Sequence, residues 1–309
     1  MSSVAIQDLQ LRGPGGAGSS SGILCLGSSS DQTQDLSFAR LFIFGFPGHG
    51  IDLAWPTSGT GSFGGVSITD CVVKSCGGAG INLLNVSLAY LAACQLIGNQ
   101  KNGIAIVGGS NAIYNCTFDG NSLLSSWSQS GNPKEGNLKL DACLMSRVDA
   151  CRFANLQAGN VQKGCVVATS GPAVLGPCYF DATAPGHTRG VELLSGVGPV
   201  NVFSNRFKNI KQLVVVNAGA VQTVVMPQLS ETAATGTATV SLPSPNGGMF
   251  GAAHVIRNGV IAGTGMIIPS GTAMPAAAQA VAGTLFYNTQ TNELKVCVSA
   301  NTWKPIQVQ

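Results

Sequence analysis

Apolar residues recur along the chain in short blocks that align with one another. Eight blocks share two columns, five positions apart, and both columns are apolar in every copy. No apolar stripe persists at helical spacing, so the blocks predict β-structure throughout. The first column contains Ile6, Phe38, Ile68, Leu91, Ile113, Val148, Leu175 and Val202, and the second contains Leu11, Ile43, Val73, Leu96, Phe118, Phe153, Phe180 and Phe207.

A third column lies between these two and is rich in cysteine. Small apolar thiols at one position of successive copies predict an interior ladder of reduced, inert cysteines that ends in a hydrogen-bonding Asn205. Disulfide bonds between copies are the alternative, whereas a straight ladder cannot surround a metal ion tetrahedrally. The column contains Leu9, Leu41, Cys71, Cys94, Cys116, Cys151, Cys178 and Asn205.

A second strand-like element follows each block and is preceded by glycine or asparagine, which we interpret as a turn residue that tolerates positive φ. The shortest repeat runs 22 residues, from Cys94 to Cys116. This length suits one coil of a solenoid whose parallel strands stack about 4.8 Å apart. The preceding residues are Gly22, Gly50, Gly80, Gly103, Asn137, Gly164 and Gly190.

The repeat length and the Cys/Asn-x-Phe pattern resemble the right-handed parallel β-helix of the pectin-lyase-like superfamily over about residues 4–217. The predicted fold class is therefore all-β. A parallel β-helix of about eight coils occupies residues 1–217, a connector with short strands occupies 218–248, and a small C-terminal β module for oligomerisation or attachment occupies 249–309. This fold carries lyases, hydrolases, epimerases and structural spikes, so the resemblance predicts architecture more than activity.

The C-terminal sequence Gly283–Asn288, with a turn at Thr289–Asn292, a strand at Leu294–Val296 and then Trp303, resembles a motif of bacteriophage tail-fibre and tail-spike proteins. Together the two resemblances imply a virion-associated homotrimer that attaches to the host surface. Its partners would be other tail proteins and host polysaccharide, and its location would be the virion tail after synthesis in the host cytoplasm. The alternatives are a polysaccharide depolymerase, hydrolase or lyase, on the same scaffold and a bacterial β-helix enzyme or adhesin.

Charged residues make up only 9% of the chain, with 16 basic and 13 acidic side chains. A net charge of +3 without any Lys/Arg run argues against a nucleic-acid binder that relies on a basic patch. No run approaches 18 apolar residues, so no membrane span is predicted, and the first twenty residues lack the features of a secretory signal. No motif calls for a cofactor.

Three consecutive corners of the repeat are extended, and we expect loops 121–136, 155–163 and 181–189 to crowd one rim. A tryptophan there could stack on a sugar ring, and charged groups could hold an anionic one. Alternatively, Trp127, like Trp55 in an earlier insertion, covers the barrel or a neighbouring subunit. The candidate glycan-binding residues are Trp127, Lys134, Glu135, His187 and Arg189.

Asp119 and Asp181 are the candidate catalytic pair. They occupy the same outward position two coils apart, about 9.6 Å, near the upper end for an inverting glycosidase, and Ala154 between them would leave room. His49 lies in a Gly-His-Gly sequence that resembles one motif of the polygalacturonases. The other motifs of that family are missing here, so we interpret His49 as a turn residue. No carboxylate cluster suggests a metal site.

Overall fold

The computed structural model describes two compact units, Met1–Thr264 and Gly265–Gln309. Every regular element in the described residues is a β-strand, which confirms the all-β prediction. The described ranges are 3–27, 35–55, 62–121, 136–156, 163–168, 171–194, 198–216, 223–225, 229–231, 239–241, 256–257, 260–261, 270–271, 285–288, 291, 293–299 and 302–305.

The first unit is a parallel β-helix with three faces. Face 1 contains β1 (Ser3–Gln7), β4 (Asp35–Ala39), β7 (Phe63–Thr69), β10 (Val86–Ala92), β13 (Ser110–Tyr114), β16 (Met145–Asp149), β19 (Ala173–Leu175), β21 (Val200–Val202) and β23 (Thr223–Val225). Neighbouring strands of this face are all parallel.

Faces 2 and 3 share two long strands, β20 (Tyr179–Leu193) and β22 (Arg206–Val216), whose first part lies in face 2 and whose second part lies in face 3. Face 2 also contains β2 (Gln10–Arg12), β5 (Phe42–Phe44), β8 (Val72–Lys74), β11 (Gln95–Ile97), β14 (Thr117–Asp119), β17 (Arg152–Leu156) and β24 (Leu229–Glu231). Face 3 also contains β3 (Ile23–Leu26), β6 (Ile51–Ala54), β9 (Ile81–Leu84), β12 (Ile104–Val107), β15 (Leu138–Asp141), β18 (Lys163–Ala168) and β25 (Thr239–Ser241).

One strand from each face forms a coil, and the prediction of about eight coils is confirmed. The two apolar columns are the interior columns of faces 1 and 2, and their members pair in the predicted order from the first copy to the last. Ile6 pairs with Phe38 at one end of face 1. Phe180 pairs with Phe207 at the other end of face 2.

The second apolar column ends in a stack of four buried phenylalanine rings: Phe118, Phe153, Phe180 and Phe207. Successive ring centroids lie 4.6, 4.5 and 4.8 Å apart, with the rings close to parallel. The spacing is that of the coils themselves, because neighbouring strands lie about 4.8 Å apart and each coil adds one ring.

The cysteine column is buried as predicted, and all ten cysteines of the chain are free thiols. The Cys94 thiol donates to the Ile68 carbonyl of the preceding coil over 3.5 Å. Hydrogen bonding between neighbouring thiols, together with burial, raises the pKa of Cys94 and of Cys116 to about 12. Asn205 ends the ladder by accepting a 2.8 Å hydrogen bond from the Cys178 amide.

Our explanation for the glycine column is wrong. None of these glycines has a positive φ. They are needed because the coils approach too closely for a side chain: a Cβ on Gly50 would lie 2.6 Å from the Gly80 carbonyl, and one on Gly190 would lie 2.3 Å from the Phe207 ring.

Left-handed residues occur at a different place in the coil, and most of them are not glycine. One set lies two residues after the interior column of face 1, where the chain turns into face 2. A single left-handed residue is enough to redirect the chain there, and no residue type marks the position in the sequence. The set contains Asp8, Arg40, Asp70, Ala93, Asn115, Ala150 and Ser204, with φ between 50° and 57°.

Trp55 is buried in the β-helix core, where its ring meets Phe63 edge-on at 5.1 Å. Of the two alternatives for this residue, it covers the barrel and offers no stacking surface to a sugar.

Short antiparallel elements follow the β-helix. Within the first unit, β26 (Ile256–Arg257) pairs with β27 (Val260–Ile261). The second unit contains β28 (Ser270–Gly271), β29 (Leu285–Asn288), β30 (Glu293–Ser299) and β31 (Thr302–Pro305). The predicted hairpin is confirmed, because β29 and β30 pair antiparallel. Trp303 pairs across the next antiparallel step with the buried Cys297.

Candidate glycan-binding face

The structure describes only some of the predicted rim residues. Trp127, Lys134 and Glu135 lie outside the described residues. His187 lies in β20, and its side chain is also outside the described part. Their glycan-binding role therefore stays a prediction.

Arg189, the remaining rim candidate, belongs to an ion-pair network on face 3. Its guanidinium lies 2.5 Å from Glu192 Oε1 and donates to Gln212 Oε1 over 2.9 Å. The Lys163 ammonium contacts the other Glu192 oxygen at 2.6 Å, and the Glu192 side chain is only 3% exposed. A carboxylate this buried requires its cationic partners, because losing one partner of a buried pair costs about 3–5 kcal/mol. The network gives Arg189 a structural role whether or not it also contacts a ligand.

Asp119 and Asp181 lie where the repeat predicts, on the outer side of face 2 in β14 and β20. Asp119 pairs with Ala154 of the next coil, and Asp181 lies one coil further on. Asp119 Oδ1 accepts a 2.5 Å hydrogen bond from Asn155, and Asp181 Oδ2 lies 4.0 Å from the Lys208 ammonium. Ala154 is only 4% exposed, so protein atoms fill the space that we expected to be open between the acids. Their catalytic role stays a prediction.

Sequence reasoning missed a column of cations and an aromatic ring beside these acids. Arg152, Tyr179 and Arg206 follow one another across three coils of face 2. Both arginines are exposed, and the Arg206 guanidinium lies 5.7 Å from the centre of the Tyr179 ring. The column offers a flat aromatic surface between two positive charges, which suits a ring that carries or adjoins an anionic group.

A second cluster of the same kind occupies the N-terminal end of face 2. The Lys74 ammonium lies 5.1 Å from the Phe42 ring centre and 5.2 Å from that of Phe44. The Arg12 guanidinium lies 5.9 Å from the same Phe44 ring. Arg12, Phe44 and Lys74 therefore repeat the order cation, aromatic, cation in three successive coils.

Both clusters could have been found in the sequence. Arg152, Tyr179 and Arg206 each immediately precede a phenylalanine of the interior column. The members of the second cluster, Arg12, Phe44 and Lys74, each immediately follow a residue of that column. In a strand, the neighbours of an inward residue point outward. The interior columns therefore define the outer columns as well, and these outer columns carry the candidate chemistry.

Face 2 carries a greater excess of cations than face 1. Over its first eight coils, its two outer columns hold five cations and two carboxylates: Arg12, Lys74, Arg152, Arg206 and Lys208, with Asp119 and Asp181. The outer columns of face 1 hold one cation, Arg147, whose charge is matched by Asp149 at 3.0 Å. Lys208 is likewise matched by Asp181 at 4.0 Å, so the excess of positive charge on face 2 comes from the remaining cations, and this excess favours an anionic ligand.

Residues 49–225, more than half of the sequence, match the family described as right handed beta helix region. The chain belongs to this β-helix family. The match adds the right hand to the parallel coil seen in the structure. No curated protein and no solved structure matches the chain.

Other kinds of site receive no support in the β-helix. Among the residues that the structure describes, no three His, Cys, Asp or Glu side chains come together as metal ligands. In the same residues, no helix is long and apolar enough to cross a membrane. His49 lies just before β6, where its Nδ1 accepts a 3.0 Å hydrogen bond from the Ala79 amide and burial lowers its pKa.

Proposed function

We propose that this β-helix protein attaches a phage tail to its host by binding surface polysaccharide along face 2. The observation that carries the proposal is the Arg152, Tyr179, Arg206 column, in which a half-buried aromatic ring lies between two exposed cations. A sugar ring has an apolar side that packs on an aromatic face and hydroxyls that bind nearby polar groups. Asp181 and Asp119 supply such acceptors in the adjacent column.

Assembly into a homotrimer that joins other tail proteins belongs to the same proposal. The resemblance of the C-terminal hairpin to tail-fibre and tail-spike motifs supports it, and so does the elongated coil. A trimer of such rods would present three copies of face 2, and several weak sites on one particle bind a polymeric surface far more tightly than one site does.

Glycan binding is tested with purified protein and bacterial capsular polysaccharide or lipopolysaccharide. Tyr179→Ala should lower the affinity at least tenfold, because aromatic stacking is lost while the strand keeps its backbone pairing. Tyr114→Ala is the matched control, since Tyr114 lies on face 1 with Arg147 5.7 Å from its ring centre. Equal losses in the two variants, or no binding of any surface polysaccharide by the parent protein, would contradict the proposal.

A depolymerase on the same scaffold is the second candidate, and the Asp119 and Asp181 positions favour it. The assay measures new reducing ends or unsaturated products after incubation with the polysaccharide. If the pair is catalytic, Asp119→Asn and Asp181→Asn each lower turnover by orders of magnitude, and binding falls far less because the amide oxygen still accepts a hydrogen bond. Without products from the parent protein, face 2 is a binding surface only.

A further inference from the structure

We infer that face 2 binds a linear acidic polysaccharide that reaches from the Arg12, Phe44, Lys74 cluster to the Arg152, Tyr179, Arg206 cluster. The inference rests on the proposed function and adds to it the chemical class of the glycan and its minimum length. We refer to the two sets as the N-terminal cluster and the C-terminal cluster.

The N-terminal cluster resembles a binding site more than a fold-stabilising contact. Its rings, Phe42 and Phe44, point away from the core and remain half-buried, although the interior positions of the same strand, such as Ile43, are filled. Among the described residues, no carboxylate lies within ion-pair distance of Arg12 or Lys74. Their charges are held near aromatic faces and available to an anion, because a cation–π contact leaves the ammonium or guanidinium donors unused.

The two clusters lie on one continuous sheet, in the two outer columns of face 2. Parallel strands in register keep outer positions aligned from coil to coil, and the pairing of face 2 is continuous from β2 to β22. Phe44 lies in the second coil and Tyr179 in the seventh, so about 24 Å of sheet separates the rings. The coils between them present Gln95 and Thr117, which can bind hydroxyls without competing for the anionic groups.

The wide spacing of the cations on face 2, with carboxylates among them, suits a glycan better than a nucleic acid. The cations of face 2 are spread over about 34 Å, from the first coil to the eighth, and Asp119 and Asp181 lie among those of the C-terminal cluster. Closely spaced phosphates would meet these carboxylates unfavourably, whereas sugar hydroxyls donate hydrogen bonds to them. A net charge of +3 for the whole chain also provides little general attraction for a nucleic acid.

Two clusters on one rigid rod make affinity depend on ligand length. A short oligosaccharide occupies one cluster at a time. A chain long enough to span both gains the second contact at high effective concentration, which raises affinity by about 100-fold or more. Length dependence is therefore the signature that separates this arrangement from a single site.

The test measures binding of the full chain to polygalacturonate and a panel of acidic bacterial capsular polysaccharides, with uncharged dextran as the neutral control. Acidic oligomers of graded length are compared with the polymer. The variants are Lys74→Gln and Phe44→Ala in the N-terminal cluster and Arg152→Gln in the C-terminal cluster. Arg147→Gln on face 1 is the matched control, and thermal unfolding of every variant monitors the fold.

We expect an acidic polymer to bind at least 100-fold more tightly than oligomers too short to span about 24 Å, with an affinity that falls as salt rises. Lys74→Gln and Arg152→Gln should each remove at least tenfold of the polymer's affinity, and their combination should bring it to the level of short oligomers. Arg147→Gln should change it less than twofold. Lys74→Gln keeps both rings, so its effect is measurable even if Phe44→Ala unfolds the protein.

The possible failures can be told apart. Neutral polysaccharide that binds through Tyr179 without a contribution from Lys74 would overturn the inference and leave the proposed function standing. Failure of every polysaccharide to bind would overturn both. Single-stranded oligo(dT) that binds as tightly as the best acidic glycan, with the same dependence on Lys74 and Arg152, would replace the inference with a nucleic-acid surface.

Discussion

Phe153 and Phe180 are the two inner members of the phenylalanine stack, and each contacts a phenylalanine ring of the coil before and of the coil after. Each inner ring therefore supports two neighbours. Phe153 lies between Phe118 and Phe180, with centroid distances of 4.6 and 4.5 Å. An alanine there leaves a cavity that the coils cannot close, because backbone hydrogen bonds fix their spacing. The cost should therefore lie at the upper end for a core substitution.

We expect Phe153→Ala to lower the free energy of unfolding by about 3–5 kcal/mol, measured by denaturant titration. Asp52→Ala is the comparison, since Asp52 lies on the outer side of face 3 and bonds Asn82 at 2.8 Å. Its loss should cost about 1 kcal/mol. Equal losses of stability in the two variants would mean that the inward and outward positions of the strands are interchanged.

The glycine column gives a second prediction at the same scale. In Gly50→Ala the new methyl group would lie 2.6 Å from the Gly80 carbonyl and 2.1 Å from Val73, so the coils must separate. In Gly98→Ala nothing lies within 4 Å, and the only cost is a φ of +60°, about 1 kcal/mol. Thermal unfolding should show the greater loss for Gly50→Ala. A greater loss for Gly98→Ala would contradict the close approach of the coils as the reason for the glycine column.

The cysteine ladder is an element with a chemical readout. A thiol reagent should label almost none of Cys71, Cys94, Cys116, Cys151 and Cys178 in the native protein, because all five are buried and the raised pKa values of Cys94 and Cys116 disfavour their thiolates. After denaturation without reductant it should label all five. A need for reductant would reveal disulfides and contradict the ladder.

The same thiols make stability depend on pH. Native Cys94 and Cys116 keep their protons up to about pH 12, whereas unfolded thiols lose theirs above about pH 8.5. The unfolded state then binds fewer protons, so stability falls as pH rises through this window. Denaturant titrations at pH 7 and 10 should show the fall, and Cys116→Ala should make it less steep. An unchanged slope in that variant would exclude the ladder as its cause.

The strands were predictable from the sequence because their inward side chains must be buried. The corners were less predictable because they depend on backbone conformation. The interior columns and the eight-coil repeat were read from the sequence, since a one-residue slip would place every apolar group outside. The left-handed corners were not, because Asp70, Ala93 and Asn115 have only their backbone conformation in common. Within the candidate site, the sequence correctly placed Asp119 and Asp181 in one outer column of face 2. The Arg152, Tyr179, Arg206 column was missed because outward positions were compared for carboxylates and not for cations or aromatic rings.

For the whole molecule, the proposed trimer yields a prediction about the second unit. Deleting Gly265–Gln309 should give monomers or aggregates in light scattering coupled to size exclusion, because we expect this unit to hold the strand register between subunits. The intact chain is the control. A truncated chain that remains a well-behaved trimer would remove the unit from that role, and a monomeric intact chain would contradict the trimer itself.

The coil-by-coil register also has a consequence for synthesis on the ribosome. Each coil pairs only with the coils before and after it, as when Ile113 of one coil meets Val148 of the next. At about 5–20 residues per second, a new coil of the shortest length emerges every one to four seconds and finds a completed template on its N-terminal side. The nascent chain can therefore fold coil by coil as it lengthens. A pause in translation would leave a folded rod whose last coil has unpaired strand edges, rather than an unfolded domain.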